Sequence, residues 1–161
     1  MIPITNRVPF IRTDFSGEST WKSVCTEIST PAPEMLQAFD FIKMANAHLP
    51  DTGDIGDKMI VVEILDDSQF SGTNVEQLLK DVPSEFPHTF LFVFDQTSAS
   101  QPDHPILVID LFDQPGRTFR AIPSEIHWIE SNLSISNMDW EDFADCVDED
   151  GVFRGFPDTA E

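Results

Sequence analysis

Apolar residues recur along this chain with two different periods, and the alternation between them predicts the elements. The stretch "VPFIRTDF" (8–15) is rich in strand formers and ends beside Asp14. Trp21, Val24, Cys25 and Ile28 then fall at i, i+3, i+4 and i+7, one stripe of a helix that Ser16 or Ser19 is placed to cap. "TPAP" ends it, because proline lacks a donor and restricts the residue before it. A second helix is expected over 34–48, with Met35, Phe39, Ile42 and Ala45 on one face, followed by a loop, "LPDTGDIGDK".

"MIVVEIL" (59–65) reads as a strand ending at Asp66 and Asp67. Thr73 and Glu76 fit the T-x-x-E capping box, in which each side chain satisfies the other residue's free amide, and so predict the start of the next helix. "HTFLFVFD" (88–95) is almost continuously apolar, as a central strand covered on both faces must be. "PILVIDLF" (105–112), the turn "DQPG" and "RTFRAI" (117–122) form an antiparallel hairpin. Pro123 suits the first turn of a helix carrying Ile126, Ile129 and Leu133. Asp139 caps a last helix bearing Trp140, Phe143 and Val147.

The order is β-α-α-β-α-β-β-β-α-α. It predicts a single α/β domain over 1–156 with a short tail, 157–161, and a mixed, mostly parallel sheet of about five strands flanked by helices. "DEDG" stops the last helix, with Gly151 in the left-handed conformation. "VFRGF" folds back as a clasp, Arg154 pairs with a carboxylate, and loss of Phe153 and Phe156 together is expected to destabilise the fold. Phe-Ser-Gly occurs twice between a strand end and a helix start, at 15–17 and 70–72, as two related β-loop-α units would have it.

Charge changes the picture of partners. Asp and Glu number 29 against 9 Lys and Arg, for a net −20. Counterion release rewards basic faces, so nucleic acid and anionic membranes are disfavoured, and a basic protein or a small molecule is the expected partner. No apolar run approaches the roughly 20 residues that span a bilayer. "MIPITNRVPF" lacks the charged start and long apolar stretch of a signal peptide, and Cys25 and Cys146 read as two reduced, buried thiols. A cytoplasmic location is expected.

Candidate chemistry is sparse. Asp14, Asp66, Asp67 and Asp95 stand at strand ends, with Asp110 inside the fourth strand. Ligands of open parallel sheets bind beyond such ends, and converging carboxylates suit a hard cation such as Mg²⁺. Aspartate also ends strands and caps helices for local reasons, and no lysine accompanies these acids, so neither metal nor cofactor is expected. Arg12 lies on the first strand, and Arg117 and Arg120, three apart, point to opposite faces, one of them paired with Asp110, Glu130 or Asp150. Asp103 and His104 are adjacent in an extended loop and point apart, so they form no dyad. His127 reads as a hydrogen-bonded core histidine.

An acid-base site, if the chain has one, would draw on Arg12, Asp14, His104, Asp110 and Arg120. No nucleophile elbow, P-loop, dinucleotide fingerprint, H-E-x-x-H or C-x-x-C is present. "CVDEDGVFRGF" fails the calcium-loop pattern, since Cys146 and Pro157 fall where two ligands are required.

The segments "IRTDFSGESTW", "HPILVIDL", "GRTFRAIP", "NLSISNMDWEDFA" and "DEDGVFRGF" together resemble an uncharacterised domain family of small actinobacterial and fungal hypothetical proteins. Residues 31–57 depart from that pattern as an insertion would. The resemblance implies one compact domain ending at "RGF" and brings no activity with it. Two functions follow from the residues. One is a small acidic cytosolic binding protein, inhibitor- or immunity-like, for a basic partner. The other is a cofactor-free enzyme or ligand carrier of secondary metabolism, with Asp, His and Arg around an apolar pocket.

Overall fold

The computed structural model describes residues 1–30, 37, 44 and 62–157. The element order is β1 (Val8–Arg12), α1 (Glu18–Ser29), β2 (Val62–Leu65), α2 (Val75–Asp81) and β3 (Phe90–Phe94). It continues through α3 (Gln96–Ser100), β4 (Ile106–Asp110), β5 (Thr118–Ala121), α4 (Ile126–Ser134), α5 (Trp140–Ala144) and β6 (Val152–Phe153). Short 3₁₀ turns at Ser68–Phe70 and Pro123–Glu125 precede α2 and α4. The helix expected over 34–48 and the suspected insertion lie largely outside the described residues.

The strands form one mixed sheet in the order β2-β1-β3-β4-β5-β6. β1 pairs parallel with both β2 and β3, the β3-β4-β5 run is antiparallel, and β6 returns parallel to β5. The α/β class and the single mixed sheet are as the apolar pattern predicts, with six strands in place of five. The extra strand is β6, whose two residues are too few to show a period.

The sheet separates two cores. Phe90, Phe92 and Phe94 face one of them, with Phe10, Trp21 and Phe143, while Leu91 and Val93 face the other, with Phe70 and Leu78. All five residues of β3 are buried, so its continuous apolar run is the signature of a strand with helices on both sides. α1, α4 and α5 supply the first core, and α2 with its preceding 3₁₀ turn supplies the second.

The expected order lacks α3, which stands where a polar loop is expected between β3 and β4 because Asp95 caps it through Ser98 N–H (3.1 Å), and α5 ends at Ala144, short of Val147 and "DEDG". Other local details differ too. α1 starts after Gly17 with no side-chain cap, so neither Ser16 nor Ser19 serves. The capping box of α2 stands one residue further on: Gln77 N–H donates to Asn74 (2.9 Å), and Asn74 N–H donates to Gln77 (3.0 Å). Asn is a stronger N-cap than Thr, which favours the later start. The two Phe-Ser-Gly segments are not a repeated unit. Phe70 is buried in the second core, Phe15 is only half-buried, and Gly72 has φ +70° where Gly17 has φ −134°.

The final segment is a clasp made by strand pairing. Gly151 adopts φ +79°, Val152 and Phe153 pair with Arg120 and Ala121, and Phe153 packs edge-on against Phe143. Phe156 leans on the same ring but stays 47% exposed. Phe153→Ala is therefore expected to cost about 3–5 kcal/mol. Phe156→Ala should cost less than half as much, and urea denaturation of the two variants checks the difference.

Candidate functional site

With few bases to share among many acids, the arginines mark where the fold concentrates charge. Four of them organise carboxylates drawn from distant parts of the chain. Arg12 is buried at the end of β1, its side chain 3% exposed. Its Nη1 donates to Asp66 (3.2 Å) and pairs with Glu18 (2.9 Å), and its Nε donates to the Asp14 carbonyl (3.1 Å). The guanidinium lies 4.4 Å from the Phe15 ring centroid and 5.1 Å from that of Trp21. Trp21 Nε1 donates to the other oxygen of Asp66 (3.0 Å), which closes the network.

Arg120 grips Asp95 with both terminal nitrogens, at 2.9 and 2.7 Å, and also donates to the Pro105 carbonyl (3.1 Å). Asp95 at the same time accepts from Ser98 N–H (3.1 Å) as the N-cap of α3. Burial alone would raise the Asp95 pKa, but the Arg120 and Ser98 hydrogen bonds outweigh it and hold the carboxyl below its usual value. His104, with φ +48°, is held by Nδ1 against the Ser98 carbonyl (2.9 Å). Asp103 pairs with Arg154 (2.9 Å), so the adjacent pair forms no dyad. The reason is the separate partners of the two side chains, since the loop is a turn here and not extended as expected. Arg154 also binds Asp148 (2.8 Å) and Asp150 (2.7 Å), the partners expected of the lone base in the acidic C-terminal segment.

The strand-end aspartates do not converge. Asp66 goes to Arg12 and Trp21, Asp67 caps the Ser68–Phe70 turn through Gln69 N–H (2.9 Å), Asp95 goes to Arg120, and Asp14 accepts from Ser16. Among the described residues no group of three or more His, Cys, Asp or Glu side chains comes together to hold a metal ion. Cys25 and Cys146 are free and half-buried. Burial, reinforced by Asp66 against the opposing pull of Arg12, pushes the Cys25 thiol up to about 12, which removes it as a nucleophile near neutrality.

Asp110 stands apart, at the opposite end of the sheet from Asp95. It accepts from the backbone of Phe112 (2.9 Å), Asp113 (3.2 Å) and Gln114 (2.9 Å), and from Arg117 Nε (2.6 Å). Burial opposes its ionisation, yet these donors keep its pKa below the usual value. Arg117 continues outward to Glu141 (2.6 Å) and Asp113 (3.2 Å) and lies 5.0 Å from the Trp140 ring centroid. As its spacing predicts, Arg117 serves the face opposite to Arg120.

A groove of about 530 Å³ opens beside this cluster, floored by Phe90, Leu133, Met138 and Trp140. Phe112 stands at its edge 75% exposed, with the exposed carboxylates of Asp113, Asp139 and Glu141 around it. A second cavity, of about 600 Å³, lies between α1 and the Pro123–Glu125 turn and is lined by Ser23, Thr26, Glu27, Thr30, Ser124 and His127. Of the five acid-base candidates, Asp110 alone lines either cavity. Arg12 and Asp14 share one network, Arg120 and His104 share another, and all four are engaged in holding loops.

Sequence reasoning passed over Phe112, Asp113 and Glu141. The available signal was an aromatic residue two positions beyond the continuous apolar run of β4, with Asp110 and Asp113 on either side of it in sequence.

A family described as a domain of unknown function (DUF6924) matches residues 7–156. No curated protein matches the chain.

The depressed pKa values of Asp95 and Asp110 carry a sign. Each carboxylate binds its proton less readily in the folded chain, so its stabilisation is complete above the unfolded value of about 3.9 and is lost as pH falls through the folded value. Asp95→Asn should cost about 1–3 kcal/mol at neutral pH. It should also flatten the loss of stability on acidification, measured by denaturant titration at pH 7 and pH 3.

Proposed function

We propose that this chain, which belongs to the DUF6924 family, is a small acidic binding protein that receives a basic protein partner in the groove beside Arg117. The observation that carries this reading is the apolar floor inside an acidic rim. Arg117 neutralises one of the three carboxylates it holds (Asp110, Asp113 and Glu141), which leaves a local charge of −2 beside an exposed aromatic ring. Aromatic side chains and arginine are the residue types that anchor protein interfaces, and Phe112 is a largely exposed aromatic residue in the lining of this groove. The overall charge of −20 steers cationic partners inward and repels nucleic acid.

A cytoplasmic setting accords with two free thiols, and no described helix is long and apolar enough to cross a membrane. The alternative, an acid-base enzyme or carrier, draws less support. Its candidate residues are locked in structural hydrogen bonds, and the groove they would need is lined by Asp110 alone among them.

A lysine- and phenylalanine-containing peptide tests the groove. It should bind the wild-type chain in low salt and be released in high salt. Phe112→Ala and Asp113→Asn should each weaken it several-fold, while Glu85→Gln and Glu149→Gln, which remove charge elsewhere, should have little effect. Equal weakening by all four would show a diffuse charge effect and overturn the assignment to the groove. Indifference to salt would overturn the electrostatic reading itself.

A further inference from the structure

The exposed aromatic residue of the Arg117 groove stands on a loop, and one carboxylate sets the shape of that loop. Residues 111–117, "LFDQPGR", join β4 to β5. They close on the side chain of Asp110, which is 5% exposed. Its Oδ1 accepts from the backbone N–H groups of Phe112 (2.9 Å) and Asp113 (3.2 Å). Its Oδ2 accepts from Gln114 N–H (2.9 Å) and from Arg117 Nε (2.6 Å). The backbone completes the same circle. Gly116 N–H donates to the Asp110 carbonyl (2.9 Å), Asp110 N–H to the Arg117 carbonyl (3.0 Å), and Arg117 N–H to the Gln114 carbonyl (3.0 Å).

Both flanks of the loop are fixed as well. Leu111 N–H donates to the Thr89 carbonyl (2.8 Å), and its side chain packs against the second core. Gly116 has φ +96°, and a Cβ there would stand 3.1 Å from Leu79 of α2. What this arrangement holds out is Phe112, 75% exposed. A phenylalanine left in water contributes little to the fold, because the gain from an aromatic ring comes with its burial. Fixing its backbone has a use in binding. A side chain that is already ordered loses less conformational freedom when a partner covers it.

We propose that Asp110 is a positioning residue for the groove, holding Phe112 in its binding position before a partner arrives. The inference rests on the reading of this groove as the partner site. The two oxygens of Asp110 are taken up by four donors, so it acts through the loop and leaves the contact with the partner to Phe112.

A double-mutant cycle with the lysine- and phenylalanine-containing peptide tests this. Asp110→Asn sets an NH₂ group against donors that now meet a carboxylate oxygen, and should weaken the peptide about fivefold. In a Phe112→Ala background the same change should weaken it less than about twofold, because the ring it positions is gone. Loss of a charge, or of folded protein, would weaken binding equally in both backgrounds, and that result would overturn the positioning role alone. Gly116→Ala strains the same loop without changing its charge. It should give the same pattern, and it carries the cycle if Asp110→Asn does not fold. No binding to the wild-type chain would overturn the groove reading itself, and the role of Asp110 in it. Hydrogen exchange of the free chain reads the loop directly. The amides of Phe112, Asp113 and Gln114 should exchange slowly in the wild type and about tenfold faster in either loop variant. Unprotected amides in the wild type would overturn the pre-formed loop.

Discussion

Scarcity of positive charge is the constraint on which the rest of this structure depends. A chain with 29 acids and 9 bases can neutralise few of its carboxylates, so each buried or half-buried arginine serves as a hub. Arg12 ties the end of β1 to the end of β2 and to the start of α1. Arg120 ties β5 to the β3–α3 junction, and Arg117 ties the β4–β5 loop to α5. Arg154 draws the C-terminal clasp onto the loop before β4. Each hub gathers charge from separate segments, so the acidic surface is held in a few defined arrangements. Without them it would repel itself as a diffuse shell.

Beneath the hubs, the two cores are unequal in kind. The first is rich in aromatic rings, with Phe119, Phe143, Phe153 and Trp140 in contact near its C-terminal end. The second is aliphatic apart from Phe70 and the half-buried Phe86. Both cavities open on elements that supply the aromatic core: α1 and α4 in one case, α5 and the end of α4 in the other.

How much was legible beforehand depended on the range over which each feature is encoded. The five-residue apolar run of β3, the stripe of α1 and the hairpin of β4 and β5 could all be read because their periods are local. Arg154 pairing was legible too, since it is the lone base among nearby acids. The cap of α2 stands one residue beyond the expected Thr73, because Asn74 with Gln77 completes the same box with the stronger capping residue. The sequence predicts a hydrogen-bonded core histidine at His127, and nothing in "EIHWIE" indicates that neither ring nitrogen finds a partner.

The sequence by itself determined the class of the fold, the acidic surface and the lack of familiar catalytic motifs, since composition and short-range periodicity are properties of neighbouring residues. The tertiary structure alone decided which distant carboxylates the arginines take. Arg12 meets Asp66 across 54 positions, Arg120 meets Asp95 across 25, and Arg154 meets Asp103 across 51. Where acids outnumber bases this heavily, every arginine has many possible partners in sequence. Only the approach of the strand ends leaves it with one set.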